Sequence, residues 1–127
     1  MSALPLEVAY QRSFMARAAL ALPHVRLFRR NTGLIKMSDG RFFRASIPGQ
    51  CDLFGIDKSS RHYEIEIKRF TKLSPEQVVW RDWCWKWPVP WLLLEVRKGE
   101  LPSVTVERWV SELQELVDAP TAASAPL

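Results

Sequence analysis

RHYEIEIKRF, residues 61–70, alternates with the two-residue period of a β-strand. Tyr63, Ile65 and Ile67 fall on one face; Glu64, Glu66 and Lys68 fall on the other. The apolar face predicts a strand packed against helices. The charged face has two readings. It is a solvated surface whose charges pair across strands, each pair contributing roughly a few tenths to 1 kcal/mol. Or it is a metal site with a catalytic lysine.

The segment just upstream bears on that choice. KSSR (58–61) is a turn, and IPGQCDLFGID (47–57) is a Pro-Gly turn running into an apolar strand. If the connection turns about Ser59, Asp52 lies opposite Glu66, on strands spaced about 4.8 Å apart. Two carboxylates so placed can share one hard cation. Mg²⁺ takes oxygen ligands and keeps several waters, so one backbone carbonyl, that of Ile67, would complete the protein's share. Lys68 points to the same side as Glu66. A lysine there would orient a metal-bound water or stabilise the charge growing on a phosphate under attack.

The remaining elements frame this hairpin. Residues 5–21 predict a helix, with Leu6, Tyr10, Phe14 and Arg17 or Ala18 repeating near helical spacing to make one apolar face. HVRLFRR (24–30) alternates as a strand, with Val25 and Leu27 opposed to Arg26, Phe28 and Arg30. LIKMSDGRFFRAS (34–46) reads as two short strands about a Ser-Asp-Gly turn. SPEQVVWRDWCWKW (74–87) opens as a helix, with Ser74 as N-cap and Pro75 at the first position, and Pro88 stops it. WLLLEVRK (91–98) is a buried strand. VTVERWVSELQELVD (104–118) is a closing helix, with Val106, Val110, Leu113 and Val117 at spacings of three and four. The expected architecture is α/β, a central mixed β-sheet flanked by helices. It forms a single domain over residues 1–117 with a loose, low-complexity tail over 118–127.

The 127 residues suffice for one core. No apolar run reaches bilayer-spanning length, so no membrane is expected. The start carries Glu7 and no basic n-region, unlike a signal peptide. Two cysteines, Cys51 and Cys84, make no disulfide framework, and no C-x-x-C or H-x₃-H spacing supports zinc. They read as reduced thiols of a cytoplasmic protein. The net charge is +4 and is unevenly spread. Residues 1–50 hold eight Lys/Arg against two Asp/Glu; residues 51–127 hold ten against twelve. A basic region beside an acidic cluster suits a protein that grips a polyanion.

Taken in order, Glu7 with Gln11, RRNTG (29–33), PGQCD (48–52), EIK (66–68) and LSPEQVVW (73–80) resemble the VRR-Nuc domain, a branch of the PD-(D/E)xK nuclease superfamily. The resemblance spans roughly residues 5–97. It implies a restriction-endonuclease-like core in which Asp52, Glu66 and the Ile67 carbonyl ligate Mg²⁺ or Mn²⁺ and Lys68 is the catalytic lysine. It further implies that Gln77 projects toward the site and that Glu7 approaches the metal. The superfamily's Pro before the Asp is Cys51 here, a variable position. Glu64 lies outside the motif and is expected at the rim, or paired with Arg81 or Lys72.

The resemblance implies a metal-dependent endodeoxyribonuclease. Stand-alone VRR-Nuc proteins, often carried by phages or prophages, resemble Holliday-junction resolvases, homodimers that cut branched DNA in a bacterial or phage-infected cytoplasm. Candidate phosphate contacts are Arg26, Arg29, Arg30, Asn31, Arg41, Arg44 and Lys72; as isolated surface charges these would need no explanation. Trp80, Trp83 and Trp87 share one helical face, expected to pack on the sheet or on a partner subunit rather than to stack on bases. Two other functions compete: a non-catalytic DNA-binding protein on the same fold, and a protein-interaction adaptor with an incidental acidic hairpin.

Overall fold

A computed structural model of the chain describes residues 6–30, 34–44 and 47–119. The elements run α1 (Leu6–Ala21), β1 (Val25–Arg29), β2 (Leu34–Lys36), β3 (Phe42–Arg44), β4 (Leu53–Asp57), β5 (His62–Arg69), α2 (Pro75–Lys86), β6 (Trp91–Val96) and α3 (Pro102–Asp118). The order is the expected one. The closing helix starts earlier than its apolar repeat, at Pro102, a residue whose fixed φ suits a first helical turn. It runs through Asp118, the first residue of the expected tail, and residues 120–127 lie outside the described residues.

Four strands form a mixed sheet in the order β1-β4-β5-β6, while β2 and β3 pair separately. β1 and β5 both run antiparallel to β4, and β6 runs parallel to β5 after the crossover through α2. The β4–β5 register pairs Leu53 with Ile65 and Gly55 with Tyr63. One step further, Asp52 stands opposite Glu66, as a turn centred on Ser59 requires. That turn is built by Asp57, whose Oδ1 accepts the amide N–H of Ser59 (2.8 Å) and of Arg61 (3.0 Å). Tyr63 Oη donates to its other oxygen at 2.6 Å.

The apolar back of the sheet packs on α1 and α3. Leu53, Ile65, Ile67 and Leu94 meet Phe14, Val106, Trp109 and Leu113, all fully buried or nearly so. Trp109 sits at the centre. Its ring stands edge-on to Phe14, with centroids 6.0 Å apart, and its Nε1 donates to the Glu95 carbonyl at 3.1 Å.

The front of the sheet departs from the solvated-face reading. Glu64 is 1% exposed and Glu66 2%. The cause is α2, which lies over this face and reaches both glutamates with side-chain hydrogen bonds. As an inner strand under helices on both sides, β5 is buried on both faces.

Candidate active site

Asp52 and Glu66 face each other at the open end of the β4–β5 hairpin. The backbone at both positions favours the charged forms: the Ile67 amide acts on the Asp52 carboxyl, and the Asp52 amide on that of Glu66. Burial is the largest effect on both and pushes both carboxyls up. Glu66, facing the charge of Asp52 as well, is pushed up to about 8. The two carboxyls face each other closely enough that each acts on the proton affinity of the other. Glu66 Oε2 is buried and has no hydrogen-bond donor among the described residues.

Lys68 and Gln77 complete the surroundings of Glu66. Lys68 Nζ lies 4.0 Å from Glu66 Oε1, with its side chain mostly covered. Gln77 occupies the third position of α2 and closes a capping box. Its Oε1 accepts the Ser74 N–H at 2.8 Å, and its own N–H donates to Ser74 Oγ at 3.2 Å. That fixes the side chain so that Nε2 donates to Glu66 Oε1 at 3.0 Å. The local rule that starts the helix therefore also aims its amide at the site. Glu7, half-buried in the first turn of α1, has its carboxyl raised by burial and then by the charge of Asp52, with Lys68 and Arg69 pulling it back. Glu7 thus feels the charges of Asp52 and Lys68, and also that of Arg69, which the motif reading passed over although it adjoins Lys68. The Ile67 side chain is fully buried in the core.

Glu64 overturns its expected place at the rim. It contacts neither Arg81 nor Lys72. Arg30 holds it with a two-pronged pair, Nη1 to Oε1 at 2.7 Å and Nη2 to Oε2 at 2.9 Å. Trp80 Nε1 donates to Oε1 at 3.0 Å, and His62 Nε2 hydrogen-bonds Oε2. Burial alone would push the Glu64 carboxyl up; the hydrogen bonds from Arg30, His62 and Trp80 outweigh it and hold it below the usual range. Arg30, one of the candidate phosphate contacts, is thus committed to Glu64, with only 15% of its side chain exposed. Only the arginine-rich run ahead of the hairpin hinted at a partner for Glu64.

The other basic candidates scatter. Arg29 is exposed at the end of β1, close enough to help stabilise the Asp52 carboxylate. Arg26 is exposed on the front of the sheet, over the Phe28 ring at 5.3 Å. Arg41 pairs with Asp39 in the β2–β3 turn at 2.7 Å, and Lys72 is exposed between β5 and α2. Asn31 lies outside the described residues, as does the side chain of Arg44. Of the tryptophans, Trp80 is half-buried over Glu64, whereas Trp83 and Trp87 are 44% and 63% exposed. Trp83 stacks on Trp80 at 4.9 Å. The tryptophan of the core is instead Trp109.

Among the described residues, no three His, Cys, Asp or Glu side chains converge as a metal cluster; Asp52 and Glu66 stand as a pair. The pair nonetheless suits a hard divalent ion. It offers two carboxylates and a buried oxygen with no donor, in a desolvated setting that a cation would relieve. Cys51 and Cys84 are free and buried, and burial pushes both thiols up, that of Cys84 to about 11, so neither is poised as a thiolate ligand. No helix among the described residues is long and apolar enough to cross a membrane. No protein-family model matches the chain, and no curated protein matches it significantly.

Proposed function

We propose that this chain is a divalent-metal-dependent DNA nuclease of the VRR-Nuc kind, on a PD-(D/E)xK core, that hydrolyses phosphodiester bonds. One observation carries the reading: two desolvated carboxylates in hairpin register, with Lys68 Nζ 4.0 Å from Glu66 and Gln77 Nε2 at 3.0 Å. Buried carboxylates held against each other are costly unless a cation or proton is shared. Asp52 and Glu66, with the Ile67 carbonyl, would hold Mg²⁺ or Mn²⁺. The ion, when bound, supplies Lewis-acid stabilisation of phosphate and an acidified water.

The chain's own residues divide the remaining work. Lys68, beside Glu66, stabilises charge on a phosphate oxygen or orients the attacking water. Gln77 holds Glu66 Oε1 and leaves Oε2 free for the ion. Glu7 adds a carboxylate on the Asp52 side. Arg29, and further out Arg26 and Lys72, are the exposed cations for the DNA backbone. The uneven charge, basic in residues 1–50, favours backbone contact over base reading. Branched DNA, a Holliday junction above all, is the proposed substrate. A homodimer would supply the two symmetric cuts, and the exposed Trp83–Trp87 patch supports such an interface. The buried free thiols accord with a reducing bacterial or phage-infected cytoplasm.

The test is cleavage of labelled four-way junction, flap, duplex and single-stranded DNA by purified protein with Mg²⁺ or Mn²⁺. Lys68→Ala and Asp52→Asn should each abolish cleavage while DNA binding persists. Cleavage by both variants would refute the site. Salt-sensitive DNA binding without any cleavage by the wild type would favour a non-catalytic binding protein.

A further inference from the structure

We infer that Arg30 and Glu64 are a positioning pair that sets Asp52 and Gln77, the two flanks of the carboxylate site. The inference rests on the nuclease reading for what the positioned groups do.

Asp52 sits just ahead of β4, at the last main-chain hydrogen bond toward β1. Arg30 makes that bond and adds a second from its side chain. Its guanidinium Nη1 donates to the Cys51 carbonyl at 3.0 Å, and its amide N–H donates to the Asp52 carbonyl at 2.8 Å. The peptide that carries Asp52 is therefore gripped on both sides by one residue. The guanidinium is itself fixed by Glu64 at 2.7 and 2.9 Å and lies over the Phe54 ring at 4.8 Å. Glu64 also governs α2. Its Oε1 accepts Trp80 Nε1 at 3.0 Å. Trp80 follows Gln77 by three residues, nearly one helical turn, so pinning Trp80 fixes the rotation of α2 that aims Gln77 at Glu66. A buried ion pair is weak evidence of stabilisation, since an apolar pair of the same volume often does as well. An apolar pair could not grip the Cys51 carbonyl or the Trp80 N–H. A lysine at position 30 lacks the planar fork that holds both Glu64 oxygens and the Cys51 carbonyl in one fixed geometry.

The test uses the full chain stripped of metal, with Mn²⁺ titrated in a calorimeter and amide hydrogen exchange followed in parallel. Glu64→Gln and Arg30→Lys should weaken Mn²⁺ binding by about 10-fold or more, the range for partners that orient metal ligands. Their melts should stay cooperative, because Asp52 loosens without loss of the core. The Arg30 amide should exchange faster in Glu64→Gln, while α3 amides keep their protection. Folded variants that bind Mn²⁺ as the wild type does would overturn the inference and leave the pair a fold-stabilising contact. If Glu64→Gln does not fold, Trp80→Phe, which keeps an aromatic ring and loses the N–H, tests the α2 half. It should speed exchange in the first turn of α2, and unchanged exchange would refute that half. If the wild type binds no Mn²⁺, the nuclease reading fails on its own. Exchange at Arg30 then decides the pair: faster in Glu64→Gln upholds it, unchanged refutes it.

Discussion

Replacing Glu66 by glutamine removes a charge that folding has taken out of water. Burial and the facing Asp52 move this carboxyl from 4.5 up to about 8. A carboxyl with a higher pKa in the folded state binds its proton more tightly there. Its contribution to stability is complete below about 4.5 and is lost as pH rises toward 8. At about 1.4 kcal/mol per pH unit, that gap amounts to as much as about 5 kcal/mol. Asp52, also raised, acts in the same direction. Glutamine keeps an oxygen to accept from Gln77 and has no charge to desolvate. In metal-free buffer, the unfolding free energy of Glu66→Gln relative to wild type should therefore rise by about 3–5 kcal/mol between pH 5 and 8, read by urea denaturation. Added Mn²⁺ should stabilise the wild type at pH 8 and leave the variant unmoved. A difference between the two proteins that stays flat across this range would mean that Glu66 is not held against Asp52 in a desolvated site.

Three further outcomes test the frame around the site. Gly49 has φ +89°, and a Cβ there would stand 2.2 Å from the Glu76 carbonyl oxygen in the first turn of α2; Gly49→Ala should cost at least about 1–2 kcal/mol in urea unfolding, from the left-handed backbone alone. Trp109→Ala should cost about 3–5 kcal/mol by the same measurement, because its ring fills the core between α1 and α3. Tyr63→Phe removes the 2.6 Å bond to Asp57, whose carboxyl is held below its usual range: burial pushes it up, but this hydroxyl and two turn amides outweigh burial. The loss should be about 1–2 kcal/mol at pH 7 and should shrink as pH falls below about 4 and Asp57 is protonated.

What was legible before any coordinates were the features governed by neighbours in sequence. The two-residue period placed Tyr63, Ile65 and Ile67 opposite Glu64, Glu66 and Lys68, as found. Ser74 and Pro75 marked the start of α2, and the capping geometry they require is what aims Gln77. A short turn about Ser59 determines hairpin register, so Asp52 could be set against Glu66 by counting. Each of these depends on backbone sterics or on hydrogen bonds spanning a few residues. The tryptophans were harder, because a helical face at 80, 83 and 87 looks the same whether it is buried or bare. Only the packing of α3 put Trp109, and not Trp83 or Trp87, in the core.

From the chain alone, then, come the strand, its two faces and the pairing of Asp52 with Glu66. The tertiary structure decided what the charged face means. Alternation tells which way a side chain points but not what covers it. Glu64 and Glu66 are buried because α2 folds back over them, and Arg30 reaches Glu64 across 34 positions of sequence. Desolvation and pairing at that distance depend on elements packing together, and they turn Glu66 into a strained carboxylate and Glu64 into an anchored one.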